Sequence, residues 1–233
     1  MIKRFIPTLA LAVAAIAAVV APAGAANMNL TCSVGPETVD RPSGNTGEGY
    51  FVDGDKLYAP GGIEFRIRGV NRNHWDNSGP IEGLPRSGAN TERVVLNFAK
   101  PVAYNWNIVQ SQMLTKSIVP IPGNWTATCK SDRASLKAIV DTWVAQASTW
   151  TQLNKTGLIN IANEWGPGTK INQTINSKVV QVPTTVWLDC NVDAILRMRS
   201  AGYTMPLVVD AGGCGQDAST VLKYGAQVLA ADP

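Results

Sequence analysis

The chain has 233 residues, 45% of them hydrophobic and 16% charged, with 20 Lys and Arg against 17 Asp and Glu for a formal net charge of +3. That balance excludes a disordered or collagen-like chain, and basic residues spread without runs argue against nucleic-acid and membrane-surface partners. A single histidine and four cysteines, none in a CxxC spacing, leave no ligand set for a structural zinc or a thioredoxin-like pair, so neither metal nor cofactor is expected.

Residues 1–26 read as a secretory signal: Lys3 and Arg4 precede an apolar stretch from Phe5 to Val20, and Ala23-Gly24-Ala25 fits a cleavage site near Ala25 or Ala26. A secreted protein free of the membrane after signal removal is expected. Export also permits disulfides among Cys32, Cys129, Cys190 and Cys214. Residues 27–49, rich in Gly, Pro, Ser, Thr and Asn, read as an irregular leader, and one ordered domain is expected over 50–233.

That domain opens with short strands around the turns Asp53-Gly54-Asp55 and Pro60-Gly61-Gly62, the last of them reaching from Glu64 to Val70. Apolar strands then alternate with helical periodicity. RVVL at 93–96 precedes a helix around 106–114, and IVPI at 118–121 precedes a long amphipathic segment whose buried face is Leu136, Ile139, Val140, Trp143, Val144, Ala147 and Trp150. Ser131 or Asp132 is placed to cap that helix. The strand LINIA at 158–162, a helix over 188–200, the strand LVV at 207–209 and a helix over 220–230 complete the chain.

Such alternation predicts a parallel sheet with helices outside, doubly wound or closed as a (β/α)8 TIM barrel. Two features favour the barrel: no Gly-rich phosphate loop follows the first strand, and polar residues crowd the strand ends (Asn71 and His74, Asn97, Asn124, Asn163 and Glu164, Asp210). About five βα units are present where a barrel has eight, and the last ends at Ala230-Ala231-Asp232-Pro233, so a C-terminally truncated barrel is expected. Glu164, between Asn163 and Trp165 at a strand end, is the candidate proton donor, because desolvation beside an indole would keep such a carboxyl partly protonated.

LINIANEWGP at 158–167 resembles the acid/base signature of glycoside hydrolase family 5, the cellulase and mannanase family, whose fourth strand ends in Asn-Glu. KLYAPGGIEFRIRGVN, GANTERVVL, VVDAGGCGQD and YGAQVLAADP resemble its mannan-hydrolysing branch in the same order, extending the likeness over 50–233. The resemblance implies a secreted, monomeric, endo-acting hydrolase of β-1,4-linked polysaccharide, mannan first and cellulose or another β-glucan second. It makes Glu164 the acid/base, Asn163 a ligand of the sugar 2-hydroxyl, Arg93 the orienting arginine, His74 a substrate-side histidine and Trp165 a sugar-stacking aromatic, with Trp75 and Trp125 as further stacking candidates. The nucleophile it implies, on a seventh strand, is not in the chain, and Asp210 is read as structural.

At Cys214 the chain departs from the resembled branch, which has an aromatic there. Cys129 and Cys214 follow the strands on either side of the one ending in Glu164, and a bond between them would pin its rim; Cys190 is the competing partner. The segment 166–185 is long for a βα loop and is placed to form one wall of a cleft. A different class of function, a carbohydrate-binding protein without turnover or a non-functional fragment, stands as the alternative. A serine hydrolase is disfavoured by the absence of a GxSxG elbow.

Overall fold

The computed structural model describes residues 36–74 and 85–232; the signal segment, Cys32 and Trp75 lie outside the described residues. The described part of the leader is irregular yet tied down. Val39 N–H donates to Gly62 O at 2.9 Å, the Arg41 guanidinium sits 4.4 Å above the Phe51 ring, and Gly49 packs so closely on the Asn154 carbonyl that a Cβ would fall 1.9 Å from it.

The first ordered element is an antiparallel pair, β1 (Phe51–Asp53) and β2 (Lys56–Tyr58), turning at Asp55 and Gly54, the latter with φ of +59°. The strands of the main sheet are β3 (Gly69–Asn73), β4 (Thr91–Leu96), β5 (Val119–Asn124), β6 (Ile159–Asn160) and, later in the chain, β9 (Leu207–Val208). All neighbours are parallel, in the order β3-β4-β5-β6-β9. Between them lie α1 (Val102–Gln112), α2 (Arg133–Ala145), α3 (Ala147–Trp150) and α4 (Val186–Ser200), and α5 (Ala218–Ala230) follows β9. The five strands of the sequence reading are thus present, as an open sheet rather than a closed barrel among the described residues.

Three expected boundaries move for physical reasons. The first sheet strand starts at Gly69 rather than Glu64, because Glu64 bridges back to Tyr58 and the Asn90 side chain holds the intervening backbone, bonding Arg66 O and Arg68 N. The long helix begins on Asp132, whose carboxylate accepts Ser135 N–H at 2.8 Å, and breaks at Gln146, where φ −103° and ψ 14° divide α2 from α3. The segment after Glu164 is not an open loop: β7 (Lys170–Ile175) and β8 (Lys178–Pro183) form an antiparallel hairpin, turning through Asn176 and Ser177 at φ of +50° and +61°. Two consecutive left-handed residues match the twist of a two-residue hairpin turn.

The two faces of the sheet are used differently. Val94, Leu96, Ile159 and Ile161 pack against the helices in the main core, where Trp143 and Trp150 are fully buried. Burial of an indole there is supported by hydrogen bonding, since Trp143 Nε1 donates to Ile161 O at 2.8 Å. Val119, Ile121 and Leu158 form a smaller cluster on the other face with Tyr50, Leu57, Phe65 and Val208. By register, that inner face also carries Arg93 and Asn160, which pair with Ile121 and with Gly123 and Val208. The outer turn of α5 leaves Leu222 87% and Leu229 59% exposed.

Candidate active site

Inner-face residues converge where β4, β6 and β9 end. Arg93 Nη2 lies 2.8 Å from Asn160 Oδ1, 2.7 Å from Asn163 Oδ1 and 3.1 Å from Asp210 Oδ2. Asn160 Nδ2 donates to Asp210 Oδ1 at 2.8 Å, closing a ring of amide, guanidinium and carboxylate. Asn160 is fully buried in the middle of an apolar strand, and its three side-chain bonds, the third from Nδ2 to Val208 O at 3.3 Å, satisfy it. Asn163, 6% exposed, donates from Nδ2 to Thr128 Oγ1 at 3.0 Å, which leaves that amide one further N–H to offer.

Glu164 is held through its backbone rather than its side chain. Its N–H donates to Asp210 Oδ2 at 2.8 Å and its carbonyl accepts Cys129 N–H at 3.1 Å. These bonds hold it at φ of +50°, left-handed for a residue with a Cβ. Cys129 and Cys214 share that conformation, at +59° and +60°. Three such residues in contact mark a rim whose geometry is imposed by its surroundings, as is common at functional sites.

Cys129 and Cys214 are joined as a disulfide with Cα atoms 4.3 Å apart, so the loops after β5 and β9 are tied across the end of β6. The half-buried Glu164 carboxylate reaches over that bridge, with Oε2 4.0 Å from Cys129 Sγ and 3.9 Å from Cys214 Sγ. Gly215, next to Cys214 and at φ of +74°, approaches so closely that a Cβ would lie 2.9 Å from Glu164 Cγ. Cys190 stays free and buried on α4; burial pushes its thiol pKa up against the opposing pull of Arg133.

Two expected site residues are placed elsewhere. Trp165 is 2% exposed and belongs to the main core, with Nε1 donating to Ser135 Oγ at 2.9 Å and lying 3.3 Å from Asp132 O. Its ring is therefore packed in the core rather than laid open to a sugar, and its N–H is turned toward the start of α2. His74, 2% exposed, has Nε2 at 3.5 Å from Glu92 Oε1, and Arg72 Nη1 is 3.8 Å from the same oxygen. Glu92 precedes Arg93 on β4, and alternation sends its side chain to the opposite face of the sheet, so His74 lies on the helix side and not with Arg93. Trp125, directly after β5, is 36% exposed and remains available at the rim.

Asp210 and Asn160 enter the site more centrally than the sequence reading had them. The signal for Asn160 is a polar residue between Ile159 and Ile161 in a fully buried strand, a position that demands partners. A cavity of about 460 Å³ lies between α2 and α4, lined by Arg133, Leu136, Val140, Asp189 and Cys190 and by none of Arg93, Asn160, Asn163, Glu164 and Asp210.

The chain is 32% identical over 193 residues to a mannan endo-1,4-beta-mannosidase of Salipaludibacillus agaradhaerens, a match covering 79% of the chain and 58% of that relative. Its fold superposes on the beta-mannanase from Thermomonospora fusca with a TM-score of 0.65 at 27% identity, covering 79% of the chain and 61% of that structure. The mannohexaose complex of the same enzyme gives a TM-score of 0.61 at 26% identity, covering 79% of the chain and 62% of that structure. No protein-family model matches the chain. The chain thus spans a little under three fifths of the curated relative, and over that span it is similar to β-mannanases in sequence and in fold.

Proposed function

We propose that the chain is the N-terminal part of a secreted, endo-acting glycoside hydrolase that cleaves β-1,4-mannan, with β-glucan second, by retaining double displacement. The observation that carries this reading is the placement of Glu164: a carboxyl at the C-terminal end of a parallel strand, its backbone fixed by Asp210 and Cys129, its side chain reaching the surface. Likeness to mannan endo-1,4-beta-mannosidases supplies the substrate class.

In the first step the protonated Glu164 gives its proton to the glycosidic oxygen while a second carboxylate, the counterpart of the resembled family's seventh-strand nucleophile, attacks the anomeric carbon; the C–O bond breaks and a glycosyl-enzyme forms. In the second step Glu164, now a carboxylate, takes a proton from water as that water attacks the same carbon and releases the nucleophile. Asn163 offers its remaining N–H to the sugar 2-hydroxyl. Arg93 holds Asn163 and Asp210 in position and brings positive charge toward the incoming nucleophile.

The test uses the protein extended to the full length of its relatives. Glu164→Gln is expected to lower turnover on mannan by about 10²- to 10⁴-fold. Added azide, which needs no general base, is expected to restore turnover of an aryl mannoside with a good leaving group, giving a glycosyl azide. Near-normal mannan hydrolysis by the variant would overturn the assignment.

A further inference from the structure

Three side chains of metal-ligating type meet at the rim around Glu164. Glu164, Cys129 and Cys214 are a group of metal-ligating side chains whose donor atoms lie within 4.8 Å of one another among the described residues. In a tetrahedral zinc-type site, bonds of about 2.3 Å to sulfur and 2.0 to 2.2 Å to oxygen place sulfur and oxygen roughly 3.5 Å apart. The 3.9 and 4.0 Å separations from Glu164 Oε2 to the two sulfurs are close to that spacing. Because the ligand is a thiolate and a disulfide has none, the bond between the sulfurs must open, and metal bonds of about 2.3 Å then need the two sulfurs to part to roughly 3.8 Å.

We infer that two-electron reduction of Cys129–Cys214 converts this rim into a site for a thiophilic divalent cation, Zn²⁺ or Cd²⁺, held by two thiolates and the Glu164 carboxylate with water in the fourth position. The backbone keeps the ligands together once the bridge opens. Cys129 N–H bonds Glu164 O at 3.1 Å, Gly166 N–H bonds Lys130 O at 2.9 Å and Gly213 N–H bonds Gly166 O at 2.8 Å, so both cysteine loops are tied to the Glu164 segment independently of the disulfide.

The chemistry balances with a phosphine as reductant. Phosphorus attacks one sulfur, the S–S bond breaks and the other sulfur leaves as a thiolate; water then displaces the second sulfur. One phosphine, one disulfide and one water yield phosphine oxide and two thiols. Binding the cation releases the two thiol protons. A Glu164 bound through Oε2 is held on the cation and drawn away from the glycosidic oxygen, so if it is the acid/base the reduced, metal-loaded protein is inactive. That consequence rests on the proposed function, whereas binding does not.

The experiment titrates Cd²⁺ into the 233-residue chain carrying Cys32→Ser and Cys190→Ser, before and after treatment with a water-soluble phosphine, reading the ultraviolet thiolate-to-cadmium absorption. One equivalent is expected to bind the reduced chain and none the oxidised chain, with helical circular dichroism retained in both. Glu164→Gln is expected to weaken binding by at least about tenfold, the lower range seen when even an outer-shell partner is lost. Equal binding by the oxidised chain, unchanged affinity in Glu164→Gln, or loss of the helical signal on reduction would each overturn the inference.

Discussion

Asp210 Oδ2 accepts the Glu164 backbone N–H at 2.8 Å and, on the same oxygen, receives Arg93 Nη2 at 3.1 Å. One carboxylate thus sets the backbone of the candidate proton donor and anchors the Arg93 guanidinium. Both partners are mostly buried, with side chains 19% and 22% exposed. Asp210→Ala is expected to destabilise the chain by about 1.5–3 kcal/mol, the range for hydrogen bonds to charged groups, read as a lower denaturant midpoint at unchanged slope. Asp210→Asn, which keeps an acceptor, is expected to cost roughly half as much.

Trp165 separates a core role from a sugar-binding one. Its burial at 2% predicts that Trp165→Ala costs about 3–5 kcal/mol, while Trp165→Phe, which mainly loses the N–H bond to Ser135, costs about 1 kcal/mol. Thermal melts check both values. In the full-length protein, Trp165→Phe is expected to leave KM for mannan within about twofold; a large rise in KM with unchanged stability would put the ring in the cleft instead.

Gly215 touches Glu164 directly and has a left-handed backbone at φ of +74°. Gly215→Ala is expected to cost about 1–2 kcal/mol from conformation alone and to push the Glu164 side chain aside. The catalytic readout in the full-length protein is a fall in kcat larger than any change in KM.

Acid is expected to weaken the fold. The Ser135 backbone N–H holds Asp132 below its ordinary pKa; hydrogen bonds from Lys137 and then Arg197 do so for Asp141, and from Ser219 and then Thr169 for Asp217. A carboxyl whose folded pKa is depressed contributes stability above its unfolded pKa, near 4, and loses it as pH falls through the lower folded value. The melting temperature should therefore be flat from neutrality to about pH 5 and decline below about pH 4. These groups lie at the surface, so each contribution is small and should shrink further at high salt.

Which parts of this architecture are legible in the sequence follows from what each residue must satisfy. The strands ending in Leu96, Asn124 and Asn160 are buried on both faces because helices cover one and the inner cluster covers the other, and their Val, Leu and Ile runs read directly as buried strand. Glu164 is legible because a carboxylate closing such a strand has little structural reason to be there. His74 is not, because its meaning depends on the phase of β3: a one-residue shift moves a side chain to the other face of the sheet, and Asn90 delays the start of pairing in a way local composition does not reveal. The β7–β8 hairpin escapes for another reason. Every residue of β7 is exposed, so burial imposes no alternation, and Ser177 adopts a left-handed turn conformation without the glycine that usually announces one.

The aromatic cluster behind the sheet has an optical consequence. Phe98, Trp106, Trp143 and Trp150 come from the end of β4 and from α1, α2 and α3, with Trp143 and Trp150 5.3 Å apart at 74° and Trp106 6.0 Å from Trp150 at 78°. Indoles this close and this oblique couple their electronic transitions into a chiral signal. Assembly of the helical layer on the sheet therefore carries its own circular-dichroism signature, which disappears as soon as these elements part and lets folding be followed on the unlabelled chain.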